Sequence, residues 1–148
     1  MIAIGSDHAG YELKEELKKY LKEKGLETKD LGTNGLSSVD YPDFGRKVGE
    51  AVVNEHMDFG IVVCGTGIGI SIAANKVKGI RAALVYDEET ASLAKMHNNA
   101  NVIALGGRKT SVEEAKKIVD SYLSASFEER HQKRLDKIKK YEEGELHE

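Results

Sequence analysis

Groups able to move protons gather in three short stretches of the chain. Asp7 and His8 stand together in SDHAG, Cys64 opens CGTGIG, and His97 heads HNNAN. A carboxylate and imidazoles can shuttle protons near neutral pH. A thiol at a helix start favours its thiolate form, which acts as base or nucleophile. Cys64 is the only cysteine, and it ends the apolar run IVVC where a glycine-rich turn begins. A cysteine that only packed would sit equally well inside the run. Free cysteines are often buried for packing alone, so position favours chemistry here without excluding the other role.

The turn itself points to an anion. Gly65, Gly67 and Gly69 lack Cβ atoms, so the backbone can turn sharply and aim successive N–H groups into one concavity ahead of a helix. The spacing is neither of the familiar nucleotide motifs. Ile70 stands where a dinucleotide fingerprint needs its last glycine, and no Lys-Ser/Thr follows for a P-loop. A plain tight strand-to-helix turn fits the spacing equally well. Arg130 and Arg134, four apart with His131 between them, could fork onto a phosphate from one helix face. They could also be a solvated face paired with Glu128 and Glu129. Asp7, His8, Cys64 and His97 could in principle ligate a metal, but no established ligand spacing supports it, so no metal is expected. His56 and His147 look like surface residues.

These residues need a scaffold, and its pattern is βα repeated. Met1–Gly5, Leu26–Leu31, Phe59–Cys64, Arg81–Val85 and Val102–Leu105 read as strands, with FGIVVC the most apolar and so central. Helical spacing of Leu13, Leu17, Tyr20 and Leu21 ends at Gly25. Pro42 opens a helix carrying Phe44, Val48, Ala51 and Val52, and another runs across Ile68–Val77. Asp87 caps Glu88–Met96, and Ser111 with Glu114 forms a capping box. A charged sixth helix spans Phe127–Tyr141 with a thin apolar stripe that suits a neighbouring subunit. The expected fold is a three-layer α/β/α Rossmann-like sandwich with five parallel strands and an extended C-terminal helix. Ligands in such sheets bind beyond the carboxyl ends of the strands, and the polar stretches are expected to converge there.

Bulk properties bound the function. The 148 residues suit one domain spanning 1–148; they are 40% hydrophobic and 32% charged, with formal net charge −3. That charge offers no general attraction to nucleic acid or anionic membrane. A single cysteine permits no internal disulfide and fits a reducing, cytoplasmic setting. The start MIAIGSDHAG lacks a signal-peptide pattern, and the longest uncharged run, Phe59 to Asn75, is too short to span a membrane.

Five blocks in order carry a wider resemblance: GSDHAG, DYPDF, CGTGIGISIAANK, HNNANVIALGGR and FEERHQKRLDKI. Together they resemble the ribose-5-phosphate isomerase B family over essentially the whole chain. The resemblance implies a metal-free, cofactor-free aldose–ketose isomerase acting on a small sugar phosphate. It also implies a homodimer, in some members a dimer of dimers, with sites at the subunit interface. Carried over by position, Cys64 is the base moving a proton between C2 and C1. Thr66 and the amides of Gly65, Gly67, Ile68, Gly69 and Ile70 hold the enediolate. Asp7 and His97 open the furanose ring and Asn98 touches the sugar. His8, Arg108, Arg130 and Arg134 bind phosphate, and Asp43 borders the sugar. One branch of the family carries a glutamate at the position of Ile70 in place of the cysteine, so this chain falls in the cysteine branch. Isomerases of allose 6-phosphate or galactose 6-phosphate are the nearest alternative. The galactose enzymes divide the site residues between two different chains, whereas Cys64, His97 and both tail arginines occur together here. A non-catalytic sugar-phosphate or nucleotide module is the alternative of another class.

Overall fold

The computed structural model describes residues 1–145, so His147 lies outside the described residues. Five strands form one parallel sheet: β1 Ile2–Ser6, β2 Thr28–Asp30, β3 Phe59–Cys64, β4 Ala82–Leu84 and β5 Val102–Gly106, in the order β2-β1-β3-β5-β4. Among the described residues six α-helices accompany them: α1 Tyr11–Glu23, α2 Tyr41–Asn54, α3 Ile68–Asn75, α4 Glu88–Asn98, α5 Val112–Ser124 and α6 Gln132–Glu142. No helix among the described residues is long and apolar enough to cross a membrane.

Alternation along the strands divides the core between the two faces of the sheet. Ile2, Ile4, Ile61, Val63, Ile103 and Leu105 pack with α1, α4 and α5. Ala3, Val62, Cys64, Val102 and Ala104 pack with α2 and α3. All six residues of β3 are buried, as its unbroken apolar run predicts for a central strand covered on both faces. The expected caps are present: Asp87 Oδ1 accepts from Thr90 N at 2.7 Å and Ser111 Oγ from Glu114 N at 3.2 Å. Pro42 lies in the first turn of α2.

The tail differs from the sequence expectation. A continuous helix from Phe127 does not form; Glu129–His131 make a 3₁₀ turn before α6 begins at Gln132. Glu128 N donates to Met96 O at 2.9 Å, so this entry is fixed by the end of α4 and cannot follow an ideal helical path. Arg130 and Arg134 therefore do not share one regular helix face. Leu135 is the apolar anchor of α6, whereas Ile138 is half exposed.

A buried ion pair secures the β2 edge. Lys14 on α1 is fully enclosed, and its Nζ reaches both oxygens of Asp30 at 2.7 and 2.8 Å and Thr33 O at 2.7 Å. Burial alone would raise the Asp30 pKa, but Lys14, Lys18 and the Gly32 N–H hold the carboxyl below its ordinary value. This clasp shapes the loop that leads from β2 toward His8. Lys14→Met should destabilise the protein by about 2–4 kcal/mol, because Asp30 loses its main partner. Urea unfolding of Lys14→Met, compared with Lys14→Met/Asp30→Asn, measures this, and the double variant should recover part of the loss. With a depressed carboxyl pKa, the Asp30 contribution is present at neutral pH and is lost as acid protonates the folded carboxylate.

Candidate active site

Glycine lets three loops meet at the carboxyl ends of β1, β3 and β5. A Cβ on Gly10 would fall 2.4 Å from Val63 O, one on Gly106 2.7 Å from Thr66 O, and one on Gly107 2.6 Å from Ala9 O. The loops thus pack backbone against backbone. Gly107 N donates to Cys64 O at 2.7 Å and Arg108 N to Gly65 O at 2.9 Å, locking the β5 turn onto the glycine loop. Cys64 lies in this seam beside the junction of β1 and β3, from which successive connections run to opposite sides of the sheet. Such a switch point is where open α/β sheets form a ligand crevice.

The loop presents donors at that point. Gly67 adopts φ +83° and caps α3, and its N–H donates to Cys64 Sγ at 3.2 Å. Thr66 Oγ1 accepts from Ile68 N at 3.1 Å, leaving the hydroxyl hydrogen for another acceptor. Gly69 and Ile70 are the second and third residues of α3, so their amides have no acceptor inside the helix. Arg108 lies along the same loop; its Nη1 is 3.4 Å from where a Gly65 Cβ would sit.

Asp7 and His8 reach this end from β1. Asp7 is buried, and its Oδ1 accepts from Gly10 N at 3.0 Å, so one oxygen already braces the turn into α1. His8 Nδ1 accepts from Val39 N at 3.1 Å, so the neutral ring carries its proton on Nε2. Asp43 is exposed in the first turn of α2, beside Tyr41, whose ring covers Gly69 closely enough that a Cβ there would approach to 2.6 Å. Tyr41, and Tyr86, whose hydroxyl donates to Thr66 O at 2.7 Å, are wall residues absent from the sequence reading. Tyr41 stands inside the quoted DYPDF block and was within reach of it; Tyr86 follows an edge strand and carried no signal.

The expected convergence fails for His97, Asn98, Arg130 and Arg134 within one chain. Helix α4 starts beyond the carboxyl end of β4 and runs back against the strands, so its last residues lie at the opposite edge. Asn101 O accepts from Gly60 N at the beginning of β3. Cys64 is four residues further along, about 13 Å at ~3.3 Å per residue. Sequence order placed His97 next to β5, but next to its beginning. One small ligand held at Cys64 does not reach that edge of the same copy.

The far group is nevertheless ordered. Arg81 Nη2 donates to Asn99 O at 2.8 Å and its Nε to Asn98 O at 3.1 Å, securing the turn after His97. Burial lowers the Arg81 pKa from its ordinary value. Arg130 Nη2 pairs with Glu128 Oε1 at 3.0 Å, and Arg134 Nη1 contacts His131 Nδ1 at 2.8 Å. His97, Glu128 and His131 offer ligand atoms within 4.8 Å of one another, a spacing that could hold a metal ion. As arranged, Arg130 occupies the carboxylate and Arg134 donates to His131. That contact fixes the His131 proton on Nε2, the nitrogen a metal would need.

A parallel sheet with a thiol and an amide cradle at its switch point defines a Rossmann-like α/β protein built for a small anionic ligand. The chain belongs to the ribose/galactose isomerase family, which it matches over residues 2–138. It is 46% identical over 138 residues to ribose-5-phosphate isomerase B of Escherichia coli, covering 93% of each chain. The structure of ribose-5-phosphate isomerase B from Clostridium thermocellum superposes with a TM-score of 0.95 at 53% identity, over 97% of both chains. That of the Mycoplasma genitalium enzyme with bound ribulose 5-phosphate superposes with a TM-score of 0.91 at 49% identity, over 96% of this chain and 95% of the other.

Replacing Gly67 with alanine should strain the cradle, because φ is positive and the new Cβ would lie 2.9 Å from the Leu105 carbonyl carbon. A loss of about 1–3 kcal/mol in urea unfolding is expected. Gly35→Ala, where nothing lies within 4 Å, is the control and should change stability by less than about 0.5 kcal/mol.

Proposed function

We propose that this chain is an aldose–ketose isomerase interconverting ribose 5-phosphate and ribulose 5-phosphate. The observation that carries the reading is the Cys64 sulfur seated against the Gly67 N–H at the mouth of the glycine cradle. The bound ulose in the Mycoplasma relative gives the ligand class, and the family gives the reaction.

In this reading Cys64 takes the proton from C2 of the open-chain aldose. The C–H electron pair forms the C1=C2 bond, and negative charge moves onto the former carbonyl oxygen. Thr66 and the amides from Gly65 to Ile70 hold that enediolate; preorganised donors of this kind are worth about 10²–10³ in rate each. A proton passes from O2 to O1, and the proton from C2 returns at C1, leaving the ketone at C2. Asp7 and His97 open the furanose beforehand, and Asn98 touches the sugar. His8, Arg108, Arg130 and Arg134 hold the phosphate, and Asp43 borders the pocket.

A second copy completes the site. The chain's direction puts His97, Asn98 and the tail arginines at the wrong edge to serve their own Cys64. Apolar side chains also ring the cradle uncovered: Ile68 is 49% exposed, Ile72 55% and Tyr86 45%. A two-fold partner would cover these and bring its far group to this cradle, with the same contact repeated in reverse. We place this homodimer in the cytoplasm, where a lone cysteine stays reduced.

Purified protein with EDTA present should convert ribose 5-phosphate to ribulose 5-phosphate, with allose 6-phosphate turned over more slowly. Turnover of the hexose alone would move the substrate and keep the chemistry. Cys64→Ala should bind the sugar phosphate and lose isomerisation; binding with unchanged turnover would end the role of the thiol. Mixing Cys64→Ala with His97→Asn after subunit exchange should restore about a quarter of wild-type activity, since half the dimers then carry one intact site. No recovery would mean that each chain works alone. Arg134→Ala should raise KM about tenfold or more, as expected for a lost charged hydrogen bond.

A further inference from the structure

His131 has no role in the chemistry above, yet it is held closely. It sits between the 3₁₀ turn and α6 with only 8% of its surface exposed. Its Nδ1 lies 2.8 Å from Arg134 Nη1. A guanidinium can only donate, so Nδ1 must accept and the ring must be neutral. Among the described residues its Nε2 is enclosed without a hydrogen-bond partner, and the Glu128 Oε1 oxygen is 3.6 Å away.

We propose that His131 is a positioning residue for the phosphate site: its neutral imidazole, accepting at Nδ1, aims the Arg134 guanidinium, and protonation of the ring releases that arginine. The proposal rests on the reading of Arg134 as a phosphate ligand.

The surroundings favour the neutral ring. His97 on α4 packs against it with ring centroids 4.5 Å apart, Arg130 approaches from the 3₁₀ turn and Arg134 from α6; among the described residues Glu128 is the opposing charge. Burial lowers the His131 pKa first, and Arg130, His97 and Arg134 lower it further, with Glu128 acting against them. The acceptor is therefore present at neutral pH. It disappears as pH falls through a value below the ordinary ~6.5 of histidine. Once both ring nitrogens carry protons, Arg134 faces a donor and a like charge and loses its fixed direction.

The test compares His131→Leu, which cannot accept, with His131→Asn, whose amide oxygen sits near the place of Nδ1 and does not titrate. KM and kcat for ribose 5-phosphate are measured from pH 5 to 8. His131→Leu should raise KM about fivefold to tenfold with a smaller change in kcat, and His131→Asn should bring KM back to within about threefold of wild type. As pH falls, the wild-type KM should rise more than that of His131→Asn. The substrate phosphate also titrates near pH 6, but equally for both proteins, so the difference reads the imidazole. In an Arg134→Ala background, His131→Leu should add nothing. Superimposable pH profiles for wild type and His131→Asn would overturn the proposal, and this arm decides alone if His131→Leu does not fold. So would an unchanged KM in folded His131→Leu while Arg134→Ala raises it. An unchanged KM in Arg134→Ala would instead remove Arg134 from the phosphate site, and the proposal with it.

Discussion

Everything at the candidate site depends on backbone meeting backbone at the carboxyl edge of the sheet. Three turns approach so closely that no Cβ fits at Gly10, Gly106 or Gly107. Close approach replaces flexible side chains with fixed amides and carbonyls, which lose little entropy on holding a ligand. The hydrogen bonds from Gly107 and Arg108 to the carbonyls of Cys64 and Gly65 then make the β5 turn a buttress for the cradle. The N–H facing the Cys64 sulfur is thereby set by the sheet register, and β3 carries that register through a wholly buried strand. The enediolate of the proposed reaction requires donors already in place as charge develops, and a rigid seam supplies them without reorganisation.

The same sheet that builds the cradle keeps the end of α4 away from it within one copy. Parallel strands force every crossover helix to run backwards, so whatever ends α4 lies at the far edge from whatever follows β3. Placing His97 and Asn98 at the end of α4 therefore separates them from Cys64 by nearly the length of the strand. The separation follows from topology, not from loop flexibility, and small motions cannot close it. The uncovered Ile68, Ile72 and Tyr86 around the cradle point the same way, because isolated domains rarely leave so many apolar groups beside an exposed polar cleft.

Local patterns in the sequence carried most of the fold. β3 was legible to its last residue because an apolar run bounded by glycine has few alternatives, and the Asp87 and Ser111 caps act within one helical turn. Legibility ended where partners are distant in sequence. Lys14 reads as a solvated helix position, yet it is buried because Asp30 and Thr33 O meet it from the β2 edge. The 3₁₀ entry of the tail depends on a bond from Glu128 to Met96 that no periodicity signals. At the site, Cys64 and the glycines were found by their position at a strand end. His97 stands out by residue type, but the expectation that it lies beside Cys64 in one copy fails, since nearness to β5 in sequence does not say which end of β5.

In the proposed composite site, the choice between five-carbon and six-carbon substrates is a property of assembly more than of the cradle. In that reading the cradle grips C1 and C2, which are the same in both classes. In the same reading the tail arginines grip the phosphate, and they stand on an element tied to the far edge of the second copy. The span between those two grips is fixed by how the copies dock. One added carbon lengthens the ligand by about one bond, a change a pocket resolves by only ~1–3 kcal/mol unless its walls are rigid. On the proposed phosphate side, the tail is held by Glu128 N on Met96 O, by the buried Leu135, and by Glu142 accepting from Gly79 N at 2.9 Å. Sequence changes in these anchors would alter substrate length preference without touching the residues that carry out proton transfer.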